Sequence, residues 1–296
     1  MIGTVKLGLI SEGTNTWPLY IAQSCGQFAR EDIAVDVTVT GSSVRQQHEL
    51  IRGGFDIGFQ QADHVIRAVE QGSDLFIFMP HGHAPDLSLV AAPGTQNIGE
   101  FRGRTIAVDG ARTGYALLLR RLLREDGLTD AEIVFEEFGG SRERYDALKS
   151  GKAAASLLNP PFDASLAVEG YAVLARMPTR FPTYPGSVMA ARRSWAREHE
   201  QLMFAFVCAY DAAYAWLQDA SNHGQALDML PAHLNIAPAA ALKALKEFAQ
   251  RPRPQLKAEG LQQVIDIVWE AEGYLTPKSR PERYMDLSYM NQALDA

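Results

Sequence analysis

Three pairs of residues stand 98 positions apart in this chain of 296: Leu50 and Leu148, Gly53 and Gly151, Gln61 and Asn159. The same local order recurs around each pair. Gly41-Ser42-Ser43, a helical stretch and the apolar run 56–59 lie opposite Gly139-Gly140-Ser141, a helical stretch and the run that starts at Ala154. Upstream, Glu12-Gly13-Thr14 faces Asp109-Gly110-Ala111, and Arg30-Glu31-Asp32 faces Arg124-Glu125-Asp126, at nearly the same spacing. An internal repeat of this kind reads as one supersecondary unit used twice, so the chain is expected to build two similar βαβαβ lobes.

The apolar patterning agrees. Short β-branched or apolar runs at 5–10, 33–40, 56–59, 75–79 and 87–91 alternate with amphipathic stretches, and after Pro93-Gly94 the rhythm resumes at 105–108, 133–138, 154–158, 172–175 and 188–191. That alternation predicts an α/β fold with mainly parallel sheets. From Ser194, a candidate N-cap, the period becomes helical: Leu202, Phe206, Ala209, Ala213 and Leu217 fall on one face. Further helices are expected over 225–230, 238–250 and 261–272, in a tail that packs across the lobes and covers sheet edges.

Composition removes several classes of function. Hydrophobic residues are 47% of the chain, enough for substantial cores, and 28 Lys and Arg against 35 Asp and Glu leave no basic field for a phosphate backbone. Nucleic acid is therefore not an expected partner. The longest apolar run, 202–210, ends at Asp211, short of the roughly 20 residues a transmembrane helix needs. Two cysteines, Cys25 and Cys208, make neither a zinc set nor a disulfide framework. No G-x-S-x-G elbow, Walker loop, G-x-G-x-x-G or H-E-x-x-H occurs, and no metal or cofactor is expected. Residues 1–4 run directly into the first apolar stretch, so the expectation is a cytoplasmic protein or one whose export signal has been removed.

In open parallel sheets ligands settle beyond the carboxyl ends of the strands. Here those loops carry Thr14, Asn15 and Trp17, then Ser42 and Ser43, then Gln61, Asp63 and His64; the second half offers Arg112, Thr113 and Tyr115, then Ser141, then Asn159-Pro160-Pro161-Phe162. Free N–H groups at helix starts favour an anion, and Arg112 would add a charge-assisted contact. The plainer role for each hydroxyl or amide is a helix cap. Trp17, Tyr115, Phe162 and Tyr184 offer flat faces or ordinary core; Tyr184, in the irregular stretch 181–186, has the least reason to be buried. His81-Gly82-His83 with Asp86 reads as loop or surface histidines rather than a metal set, and Cys25 and Cys208 lie on apolar helix faces as core. His48 and His64 are the titratable groups of interest.

Trp17-Pro18-Leu19-Tyr20-Ile21-Ala22-Gln23 followed by Gly26-Gln27-Phe28-Ala29-Arg30-Glu31-Asp32-Ile33 resembles the opening motif of the solute-binding proteins of nitrate, sulfonate and taurine ABC transporters and of the thiamine-pyrimidine group. Gly53-Gly54-Phe55-Asp56-Ile57-Gly58-Phe59, Phe101-Arg102-Gly103-Arg104-Thr105-Ile106-Ala107-Val108 and Leu148-Lys149-Ser150-Gly151-Lys152 extend the resemblance. It implies a two-lobed type II periplasmic-binding-protein-like α/β fold with a C-terminal helical segment, holding a ligand in the cleft between lobes. Lobe 1 would comprise 1–94 plus 187–296, and lobe 2 would comprise 95–186. It also implies capture of a small organic anion or pyrimidine-like compound for an ABC permease, in the periplasm or at the cell surface, with ligand contacts from the loops around Thr14, Ser42, Gln61, Arg112, Ser141, Asn159 and Tyr184. The alternative is an intracellular enzyme on the same fold acting on a small aromatic or heterocyclic acid, with His64, Asp63 and Cys25 as candidate catalytic groups. The sulfinate-removing relatives are expected to carry a cysteine in the loop after the first strand, where this chain has Thr14-Asn15-Thr16.

Overall fold

Ten strands form on the short apolar runs: β1 (Gly3–Leu9), β2 (Ile33–Val39), β3 (Ile57–Gln60), β4 (Leu75–Pro80), β5 (Ser88–Ala91), β6 (Thr105–Val108), β7 (Val134–Glu137), β8 (Ala155–Leu158), β9 (Ala172–Arg176) and β10 (Val188–Arg192). The structure is a computed structural model that describes residues 2–10, 12–83, 85–160, 162–234 and 238–295. The strands make two five-stranded sheets, ordered β2-β1-β3-β10-β4 and β7-β6-β8-β5-β9. In the first, β1 runs parallel to β2 and β3, while β10 runs antiparallel to β3 and β4. In the second, β6 runs parallel to β7 and β8, while β5 runs antiparallel to β8 and β9. Replacing β1, β2, β3, β4 and β10 by β6, β7, β8, β9 and β5 converts one order into the other, so the sequence repeat is also a topological one. Strands β3, β4, β5 and β8 are buried at every position, which is why they read as unbroken apolar runs rather than as alternation.

The chain divides into unit 1, residues 1–82, 187–256 and 280–296, and unit 2, residues 83–186 and 257–279. The first boundary lies at Gly82 rather than at 94, because β5 takes its hydrogen bonds from β8 and β9. The C-terminal tail is also divided, where the sequence reading gave all of it to the first lobe. Helix Ala258–Glu272 belongs to unit 2, burying Leu261, Val264, Ile265 and Val268. Its Gly260 permits this packing: a Cβ there would stand 1.9 Å from the carbonyl oxygen of Thr183.

In unit 1, helix Glu200–Gln218 buries Leu202, Met203, Phe206, Ala209, Tyr210, Ala213 and Leu217 in one cluster with Leu19 and Ile21 of helix Trp17–Ser24 and with Val5, Leu7 and Leu9 of β1. Each fully buried Leu, Ile or Phe contributes roughly 1.5–3 kcal/mol, so this face anchors the loops at the strand ends. Ser194 does not cap the long helix. It sits inside the short helix Arg193–Glu198, where its N–H and Oγ bond the Asp74 carboxylate at 2.9 and 2.6 Å, and the backbone breaks at His199 before the long helix begins. Among the described residues no helix is long and apolar enough to cross a membrane.

Candidate functional site

The carboxyl ends of β1, β3 and β4 and the amino end of antiparallel β10 meet at one edge of the first sheet, with Val188 in register with both Gln60 and Pro80. The Ser187 carbonyl there accepts the N–H groups of His81 and Gly82, both at 2.9 Å. Gly82 allows the approach, since a Cβ at that position would lie 2.8 Å from Ser187 Oγ. Ser187 Oγ is 2.8 Å from His81 Nδ1, and the Asn15 amide Nδ2 donates to Ser187 Oγ at 3.2 Å and lies 3.4 Å from His81 Nδ1. The Phe59 ring packs on the imidazole with centroids 4.1 Å apart, and Tyr210 lies against both rings. Tyr210 also donates its hydroxyl to the Asn15 carbonyl at 3.3 Å, fixing the loop after β1.

His81 is 5% exposed. Burial drives its pKa down to about 3, against a smaller opposing pull from the Asn15 backbone, so the ring is neutral at physiological pH. Its Nε2 has no hydrogen-bond partner among the described residues; neither have Trp17 Nε1, both amide atoms of Gln60, nor His64 Nδ1. These four residues all stand in or beside loops at the carboxyl ends of β1, β3 and β4. Buried polar atoms without partners are uncommon in folded proteins and cost about 1–3 kcal/mol each. Of the six described residues with a buried side-chain atom that lacks a hydrogen-bond partner, four stand at this sheet edge, and the other two are Ser73 and Asp211.

The corresponding edge of unit 2 is more fully paired. Arg144 is buried on helix Ser141–Lys149 and donates to the Leu157 carbonyl at 2.8 Å, to Ser141 Oγ at 3.1 Å and to the Gly140 carbonyl at 3.3 Å; burial lowers its pKa, opposed by Asp109 and Glu143. Ser141 Oγ also bonds Asn159 Oδ1. Ser88 at the start of β5 donates to the buried Asp163 carboxylate at 2.7 Å, and Arg176 lies 3.4 Å from the same hydroxyl. Arg142 stands over the rings of Tyr145 and Phe162.

Of the residues singled out in the sequence, Asn15, Trp17, Gln61 and His64 fall at the strand-end edge of unit 1, with Thr14 exposed beside them. Ser42 and Thr113 are helix N-caps, accepting from Arg45 N at 3.2 Å and Ala116 N at 3.4 Å; Ser43 is the first residue of helix Ser43–Arg52. Arg112 pairs with Glu272 at 2.5 Å at the surface of unit 2. Tyr115 is half-buried on helix Gly114–Glu125. Tyr184, expected to stand free of a lobe core, is 4% exposed, because helix Ala258–Glu272 packs on its segment and Gln263 Nε2 donates to Thr183 Oγ1 at 2.6 Å. Pro161 lies outside the described residues.

Asp63 forms an ion pair with Arg67 one helical turn away, and His64 Nε2 is 3.9 Å from the same carboxylate. Cys25 ends helix Trp17–Ser24 half-buried against the core, and burial pushes its thiol pKa up, the opposite of an activated nucleophile. Cys208 is likewise half-buried and raised by burial.

His81 and Ser187 were missed as candidate site residues, while the sequence reading places Gln60 in the loop after the third apolar run without singling it out. His81 is buried rather than on the surface, and it falls in unit 1 while His83 falls in unit 2. The signal lay in its position directly after a strand. Ser187 was hidden because an antiparallel strand brings its amino end, not its carboxyl end, to this edge.

Similarity to known proteins agrees with this architecture. A search of curated proteins finds no match to the sequence. Among solved structures, the ligand-binding component of an ABC-type import system from Staphylococcus aureus superposes with a TM-score of 0.79 at 16% identity, covering 98% of this chain and 99% of that one. The alkanesulfonate-binding protein SsuA from Xanthomonas axonopodis pv. citri, bound to MOPS, gives 0.75 at 16% identity over 96% and 98%. The periplasmic nitrate-binding protein NrtA from Synechocystis PCC 6803 gives 0.76 at 14% identity over 99% and 88%. At these identities the likeness establishes the periplasmic-binding-protein fold. The family model described as NMT1/THI5 like matches residues 13–222, most of the chain, and the protein therefore belongs to the NMT1/THI5-like family.

Proposed function

We propose that the protein captures a small organic anion, a carboxylate or sulfonate, or a pyrimidine-like compound, and delivers it to an ABC-type membrane permease. The observation that carries this reading is the set of buried, unpartnered polar atoms at the strand-end edge of unit 1: His81 Nε2, Gln60 Oε1 and Nε2, and Trp17 Nε1. Such atoms favour a ligand that supplies the missing bonds. The structural neighbours that carry a sulfonate or take nitrate support a small solute, and their naming as import components supports the permease. In this reading the protein works in the periplasm or at the cell surface. Ligand contacts are assigned to Thr14, Asn15, Trp17, Ser42, Ser43, Gln60, Gln61, His64 and His81 in unit 1, and to Arg112, Thr113, Tyr115, Ser141 and Asn159 in unit 2, with Tyr184 withdrawn because it is buried.

An enzymatic reading has less behind it. Its nucleophile would be a thiol that burial disfavours as thiolate, and its carboxylate is already bound to Arg67. Incubation with pooled alkanesulfonates, carboxylates and pyrimidines, followed by native mass spectrometry, separates the two. A compound retained and released unchanged supports capture. Consumption of a compound in excess of the protein would replace it with catalysis.

A further inference from the structure

We propose that His81 reads the solute through its Nε2–H, donated by a neutral ring to an uncharged acceptor such as a carbonyl oxygen or a pyrimidine- or pyridine-type ring nitrogen. This rests on the capture function proposed above and specifies what unit 1 recognises. Three hydrogen bonds set the tautomer of the ring. The Asn15 amide nitrogen can only donate, and it approaches Ser187 Oγ at 3.2 Å. Ser187 Oγ, accepting there, keeps its own proton for His81 Nδ1 at 2.8 Å, and the donor-only Asn15 Nδ2 also lies 3.4 Å from that Nδ1, which must therefore accept. With Nδ1 an acceptor, the network assigns the ring proton of neutral His81 to Nε2. That atom is buried and has no partner among the described residues.

The chemistry of the acceptor follows from the surroundings. The groups in contact with the ring are Asn15, Ser187, Phe59 and Tyr210. None is cationic, and Tyr210 stays protonated because burial raises its pKa well above the ordinary value. A full negative charge against this face would lose its hydration without a countercharge, whereas an uncharged acceptor loses little and satisfies the orphan N–H. Nε2–H thereby offers the solute a donor and no acceptor, and it discriminates against solutes that present an ammonium or an amide N–H at that point. Gly82 and the doubly accepting Ser187 carbonyl hold the relay in place.

Two measurements test this. The first needs no ligand: long-range 1H–15N correlation of histidine-labelled protein near pH 6 is expected to show His81 neutral, protonated at Nε2 and bare at Nδ1. A ring protonated at Nδ1, or at both nitrogens, overturns the proposal whatever the protein binds. The second compares benzenesulfonate with pyridine-2-, pyridine-3- and pyridine-4-sulfonate, which differ by one ring acceptor, and includes pyrimidine as an uncharged probe. At least one pyridine isomer is expected to bind tenfold or more tighter than benzenesulfonate, with the preference falling below threefold in His81→Phe. Equal affinities in the unaltered protein, or a preference that survives in a folded His81→Phe, overturn it. Where His81→Phe does not fold, Ser187→Ala serves instead, since losing the hydroxyl that fixes the tautomer is expected to reduce the same preference. If neither sulfonates nor pyrimidine bind, the reading of the solute class falls as well. Binding without discrimination removes the role of His81 alone.

Discussion

His81 gives the protein a pH signature. Its pKa is pushed down to about 3 in the folded chain, from an ordinary 6.5. Between those values the unfolded chain binds a proton that the folded one does not, so stability falls as pH drops through that window and is fully restored above about pH 7. The slope approaches about 1.4 kcal/mol per pH unit below pH 6. Urea unfolding from pH 4.5 to 7.5 is expected to show this slope in the unaltered protein and a shallower one in His81→Gln; equal slopes would contradict the assignment. Gln46 carries a different load. It is fully buried and donates to the carbonyls of Gly8 and Phe59, both at 2.8 Å, tying β1 to β3 just before their ends. Gln46→Leu removes the donor to both carbonyls and is expected to destabilise the protein by about 1–3 kcal/mol by denaturant titration. Arg112 is already neutralised by Glu272. Arg112→Ala is therefore expected to weaken a bound sulfonate by about 1.5 kcal/mol, the low end for a charge-assisted contact, as calorimetry can measure.

Gln46 also shows how much of the fold was legible in the sequence. Arg144 stands 98 residues further on, and as Gln46 bonds the Phe59 carbonyl, Arg144 bonds that of Leu157, 98 residues beyond Phe59. The repeat noticed in glycines and leucines is thus a repeat of strand-tying helices, and the strands were visible as short apolar or β-branched runs whatever their pairing. The sheets are mixed, with two parallel and two antiparallel pairings each, not mainly parallel as expected. The placement of β5, β10 and helix Ala258–Glu272 was not visible, because apolar periodicity says that a segment is buried but not which sheet or unit buries it. The site was half legible for a related reason. Strand-end loops are a positional rule, which found Asn15, Gln61 and His64, whereas the burial of His81 and its meeting with Ser187 depend on an antiparallel strand contributed from 106 residues away. The helix that the sequence reading put in the wrong lobe supplies its own test. Gly260→Ala would set a Cβ 1.9 Å from the Thr183 oxygen, against backbone that has little room to yield. It is expected to cost roughly 1–3 kcal/mol or more of stability, with hydrogen exchange accelerating first in residues 181–186; an unchanged exchange pattern would contradict that packing.

Neither unit is continuous in sequence: unit 1 draws on three segments and unit 2 on two. Removing residues 257–296 therefore strips a helix from unit 2 and the Tyr284 anchor from unit 1, where its hydroxyl bonds Glu70 at 2.7 Å. Both units are expected to lose protection from exchange together, whereas loss confined to one would contradict the division. Two similar α/β units, each presenting polar loops at the strand ends, a matching NMT1/THI5-like family model and unpartnered buried donors at one of those edges together support a solute receptor. Calorimetric titration of the purified protein with a panel of pyridine- and pyrimidine-bearing sulfonates and carboxylates, run in parallel on Asn15→Ala and His81→Phe, decides the matter. The account predicts saturable one-to-one binding that both substitutions weaken at least tenfold. Saturable binding that neither substitution disturbs would contradict it, and so would turnover of a panel member.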